Sequence, residues 1–147
     1  MKILIAAAAA LFLLSPGPLQ AGETPSPPGA KVYFIDLADG DTVESPLTIR
    51  FGLAGMGVAP AGVDFENTGH HHLLVDREPI GEGPEGAEEF DYAMPADEHL
   101  IHFGGGQTET VLELPSGDHT LQLVLGDMNH IPHDPPVMSP VITVTVE

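Results

Sequence analysis

The chain of 147 residues has no cysteine and no tryptophan, and only four lysines and arginines against 22 aspartates and glutamates. Each shortage excludes something. Without cysteine there are no disulfides, zinc–thiolate sites, iron–sulfur clusters, covalent c-type haem, blue-copper centre or thiol nucleophile. Anchoring through a lipidated N-terminal cysteine is excluded as well. At a formal charge of −18 the chain lacks the basic face that phosphates require, so no nucleic-acid partner is expected. Apolar residues reach 42%, which is enough for a core and argues against a disordered acidic tail. The length suits one domain. What the chain has in excess is histidine, eight residues against four lysines and arginines.

Long apolar runs are also scarce. The longest, Ile3–Leu14, follows Met1-Lys2 and stops at Ser15-Pro16-Gly17-Pro18; Leu19-Gln20-Ala21 then offers a small residue for cleavage. Its 12 residues would reach about 18 Å as a helix, short of the roughly 30 Å hydrocarbon core. Residues 1–21 therefore read as a secretory signal peptide cleaved after Ala21, and no membrane span is expected. The expected location is periplasmic or secreted. Residues 22–30 begin GETPSPPG and read as a flexible leader. The domain is expected over residues 31–147.

Within that range the strand signals are clear and helix signals almost absent. Leu47, Ile49, Phe51 and Leu53 alternate with Thr48 and Arg50, as one buried face of a strand requires. Similar alternation places Leu121, Leu123 and Leu125 inward in 119–127, and Ile142, Val144 and Val146 inward in 141–146. Further strands are expected over 31–37, 70–76 and 107–114. Turns punctuate them at Asp39-Gly40, Ser45-Pro46, Pro115-Ser116-Gly117 and Ser139-Pro140. The expected fold is all-β, an immunoglobulin-like antiparallel β-sandwich of about seven strands. Two long connections interrupt it, 54–69 and 77–106. Residues 82–99 carry seven acids and no lysine or arginine, and read as a solvated, self-repelling loop.

The topology turns histidine spacing into a positional argument. In such a sandwich the strand opening at His70 lies antiparallel to the strand ending at Asp127. His70, His71 and His72 should then share one pole with His130 and His133. His99 and His102, ahead of Gly104-Gly105-Gly106, are expected there too. His119 belongs to the opposite pole, bonded to backbone near the Pro115–Gly117 turn. Parity separates the first three: if Leu73 and Val75 face the core, so does His71, while His70 and His72 project together from the other face. The expected ligands of a transition-metal ion are His70, His72, His130 and His133, followed by His102 and Met128, with Met56 and Met138 further back. Imidazole suits copper, zinc, nickel and iron, and thioether adds a preference for cuprous ion. An exported chain with His and Met but no Cys points to copper, with zinc as the alternative, in a non-enzymatic role of metal binding or delivery.

Two other readings compete. The histidines can form a buried polar network in an envelope interaction module, with the long loops as its contact surface. Alternatively, His70-x-His72 with Asp76, followed by His119, loosely resembles the cupin metal motifs. The spacing departs from those motifs, and the topology puts His119 at the wrong pole.

Taken together, GMGVAPAGV, NTGHHHLLVD, HFGGGQTET, GDHTLQLVLGDMNHIPH and the terminal VTVTV resemble a bacterial domain of unknown function, the family numbered 4399. The resemblance covers nearly all of residues 31–147. It implies an exported, uncharacterised domain and no particular reaction.

Overall fold

The computed structural model describes residues 24–147, so the expected signal peptide lies outside the described residues. Nine strands are present among them: β1 Lys31–Ile35, β2 Thr42–Val43, β3 Leu47–Ala54, β4 Gly57–Val58, β5 Thr68–Val75, β6 Leu100–His102, β7 Glu109–Leu112, β8 Gly117–Gly126 and β9 Ile142–Val146. The only helical element among them is a 3-10 turn, Gly86–Phe90. The expected strands are all there, and the additions are the short strands β2, β4 and β6. No helix among the described residues is long and apolar enough to cross a membrane.

The strands form two sheets. One has the order β1-β3-β7 and is antiparallel throughout. The other runs β2-β9-β8-β5-β4, with β6 also paired to β5. There β2 lies parallel to β9, whereas β8 is antiparallel to both β9 and β5. This is the immunoglobulin-like sandwich arrangement expected from the alternation of apolar residues. The inward residues of both sheets meet in one core, with Ile49, Phe51, Leu73, Leu123, Leu125 and Val144 nearly or fully buried.

The outer face of the second sheet is covered, which periodicity does not reveal. β5 is buried on both faces from Gly69 to Val75. A second apolar cluster forms on the outside, made of Leu74, Ile80, Met94, Leu100 and Val124, with Phe90 packed against it. The acidic connection 77–99 folds over this face instead of standing free. Its fastenings are specific. Ile80 N donates to Gln122 Oε1 at 3.0 Å, Gly81 N donates to Glu89 Oε2 at 2.7 Å, and Arg77 pairs with Glu89. Asp97 Oδ1 accepts from His99 N at 2.8 Å and Leu100 N at 2.9 Å, which turns the chain into β6.

The residues read as a leader are likewise held from Thr24 onward. Thr24 Oγ1 donates to Asp127 Oδ2 at 2.6 Å, and Ser26 N donates to Asp134 O at 3.1 Å. A polar, Pro-rich segment need not be free when its few hydrogen-bonding groups find partners in an adjacent loop.

Candidate metal centre

Three stretches of chain deliver four imidazoles to one place. β5 contributes His70 and His72, which share the outer face because strand side chains alternate. His71, between them, faces inward and packs on Phe51 with ring centroids 5.2 Å apart. β6 contributes His102, paired directly across from His72. The turn after β8 contributes His130.

That turn is built around Asp127. Its carboxylate Oδ1 accepts from Asn129 N at 2.8 Å and Ile131 N at 3.0 Å, while its carbonyl accepts from His130 N at 3.0 Å. His130 sits in the left-handed region at φ 68, which is uncommon for a residue with a side chain. The surrounding hydrogen bonds hold it there and aim its ring back at β5. Two glycines make room for rings. A Cβ at Gly126 would lie 3.0 Å from His72 Nδ1, and one at Gly104 would strike the His102 ring.

One ring nitrogen from each of His70, His72, His102 and His130 can be chosen so that all four lie within 4.8 Å of one another. The six pairs of ring centroids are separated by 4.4 to 6.1 Å. His70 and His72 are fully buried, whereas His102 and His130 are half-buried and give the group its access. One contact is a hydrogen bond, His70 Nε2 to His130 Nδ1 at 3.1 Å. It leaves His70 Nδ1, His72 Nδ1, His72 Nε2 and His102 Nε2 buried with no partner. Each unpaired buried polar atom costs about 1–3 kcal/mol, so a fold that gathers four of them calls for an explanation.

The electrostatics follow from the same geometry. Burial, with repulsion from His102 and His130, pushes His70 down to about 4. Burial, with repulsion from His70, His102 and His130, pushes His72 down to about 3. His102 is lowered as well, by burial and then by His130. These rings are therefore neutral at neutral pH, which is the form that ligates metals. Four imidazole donors converging with free lone pairs can hold a transition-metal ion.

The other expected positions are distributed differently. His133 is buried but does not join the group; its Nε2 and Nδ1 lie 3.2 and 3.4 Å from the carbonyls of Thr68 and Leu125. The H-x-x-H spacing does not bring its two rings together, because left-handed His130 reverses the chain between them. Met128 lines a small separate recess with Val63, Phe65 and Thr68. Met138 is exposed, and Met56 packs against the inter-sheet core. His99 sits at the other end of β5, its Nδ1 donating to Val75 O at 2.9 Å. His119 is at that end too, its Nε2 donating to Pro115 O at 2.8 Å as the turn suggests, and its Nδ1 pairing with Asp76 Oδ2 at 2.7 Å. The cupin-like set of His70, His72, Asp76 and His119 is thus split between opposite ends of β5.

Two features escaped the sequence reading. His102 arrives as part of a three-residue strand, not as a lead-in to β7, and so pairs laterally with His72. Met94 is buried beside the His72 ring, although the acidic stretch around it reads as solvated.

A family model described as a domain of unknown function, DUF4399, matches residues 49–147. The chain belongs to this family. The matched span contains all four converging histidines and the whole of β5, β6 and β8. No curated protein matches the chain. Among solved structures, the endo-beta-1,4-mannanase from Thermotoga petrophila is similar, with a TM-score of 0.44 and 16% identity. That match covers 80% of this chain and 20% of the mannanase chain, so this chain spans about a fifth of that protein's length.

Proposed function

We propose that this family member binds a transition-metal ion, copper in the first place and zinc as the alternative, through His70, His72, His102 and His130. The observation that carries the reading is the convergence of four imidazoles whose ring nitrogens are buried and mostly unpartnered. His119 shows the paired alternative, with both ring nitrogens on acceptors. Core-facing His71 also lacks partners but has no other imidazoles converging on it, so convergence carries the reading. A bound cation would satisfy all four rings at once.

The role is metal binding or delivery, not catalysis, in an exported periplasmic or secreted protein. Export rests on the apolar N-terminal run and the small residue at Ala21. The preference for copper rests on the donor chemistry, imidazole with thioether nearby and no thiolate anywhere in the sequence. Two half-buried ligands over two buried ones let an ion enter from one side and be passed on.

Metal content of the untagged protein, followed by Cu(II) and Zn(II) titration against chelators at neutral pH, tests this. We expect one ion per chain, bound tighter than micromolar. The absence of any such site defeats the proposal.

A further inference from the structure

The loop that covers the outer sheet face buries one residue beside the four-histidine group. Between Ile80 and Leu100 every residue is exposed or half-buried except Met94, which is 7% exposed in a stretch carrying seven acids. Met94 is fixed from two sides. Its backbone N–H donates to the carbonyl of His130, itself one of the four converging histidines, at 2.9 Å. Its terminal methyl carbon and the His72 ring both crowd the open face of Gly126: a Cβ there would lie 3.1 Å from Met94 Cε and 3.0 Å from His72 Nδ1. The sulfur is one bond from that methyl. His72 Nδ1 and Nε2 have no hydrogen-bond partner.

Thioether is a soft, neutral donor that cupric and zinc ions take poorly and cuprous ion takes well. Imidazole serves all three. A thioether beside buried imidazoles therefore selects an oxidation state while leaving the general site intact.

Building on the four-histidine reading, we propose that Met94 is a further ligand of this centre, its thioether joining imidazoles of the group when the bound ion is Cu(I). The loop that reads as an acidic surface feature then has a defined task. It closes over the sheet and carries the residue that makes the centre hold copper in its reduced state.

The test uses the Met94→Leu variant, which keeps the apolar volume in a cluster tolerant of such exchanges and removes only the sulfur. Cu(I) affinity is measured anaerobically against bathocuproine disulfonate, and Cu(II) and Zn(II) affinities against ordinary chelators. Cu(I) affinity should fall at least about tenfold, the scale of losing a supporting group at a metal site, with Cu(II) and Zn(II) affinities unchanged. A parallel loss for all three ions, or no loss for any, overturns the proposal. X-ray absorption of the Cu(I)-loaded natural protein gives a readout that does not depend on the variant folding. A sulfur scatterer in the first shell is expected, and a shell of nitrogen alone overturns the role of Met94 while leaving the four-histidine site standing. Failure of the natural protein to bind any of the three ions overturns both readings.

Discussion

The two ends of β5 hold histidines in opposite conditions. At one end, both ring nitrogens of His119 face acceptors, Asp76 Oδ2 at 2.7 Å and Pro115 O at 2.8 Å. The hydrogen bond to Asp76 is the main reason its pKa is raised, and its protonated form is fully satisfied. At the other end, His70 and His72 are more deeply buried and surrounded by other imidazoles, and their pKa values fall to about 4 and 3 through burial first and then mutual repulsion. Burial alone does not mark a ligand, since His71 is just as buried and lies outside the group. Its surroundings do: a ring between two acceptors is satisfied, whereas four imidazoles whose ring nitrogens converge could hold a cation.

The largest way to break this contrast is to remove the converging end. The double variant His70→Ala, His72→Ala should abolish copper and zinc binding in a chelator titration, while His119→Ala should leave the affinity unchanged. If His119→Ala alone removed the metal, the cupin-like arrangement would regain its place.

Filling the site should produce the next largest effect. At a free metal concentration about a hundred times the Kd, folding stability rises by about 2.7 kcal/mol, several degrees in Tm for a domain of this size. Thermal unfolding with and without Cu(II) or Zn(II) checks this, and a matching rise in the His70/His72 variant would point to binding elsewhere.

A subtler break is Gly126→Ala. The added Cβ would lie 2.5 Å from His72 Cε1 and 3.1 Å from Met94 Cε, so the ring must shift and the Met94 side chain must give slightly. We expect a loss of about 1–3 kcal/mol in stability, in the range of overpacked cores, together with weaker metal binding. Denaturant unfolding and titration of the same sample measure the two together.

The effects of pH have opposite signs at the two ends. His70, His71 and His72 have folded pKa values below the ordinary 6.5. Their contribution is complete above pH 6.5 and is lost as the pH falls toward 4 and 3, because the unfolded chain takes up protons that the folded one refuses. His119 is raised, so its contribution is complete below pH 6.5 and is lost as the pH climbs through its folded pKa. Denaturation midpoints of the metal-free protein should decline from pH 6.5 to 4. His119→Ala should flatten the alkaline side of the profile and leave the acid side in place.

Much of this architecture was legible beforehand. The period-two alternation in 47–53, 119–127 and 141–146 marks buried strand faces whatever the fold, and the same parity separates His71 from His70 and His72. The pairing of the start of β5 with the end of β8 follows from the sandwich topology. Three things were not legible. Leu100–His102 is too short to show a period, so His102 read as connection. The left-handed turn at His130, held by Asp127, sends His133 elsewhere, and no spacing rule encodes that. Met94 lies in FDYAMPADE, where apolar residues follow no regular period and acids flank them.

The sequence by itself determined which donors are available, imidazole and thioether without thiol, on an all-β framework, in a family recognisable from its motifs. Only the tertiary structure decided which four of eight histidines meet. Their rings come from positions 70, 72, 102 and 130, brought together by lateral strand pairing and one left-handed turn. The enclosure was decided there as well, because it depends on a distant acidic loop packing Ile80 and Met94 onto the outer sheet face. Local alternation specifies which face a residue takes, and long-range packing specifies what that face finds opposite it.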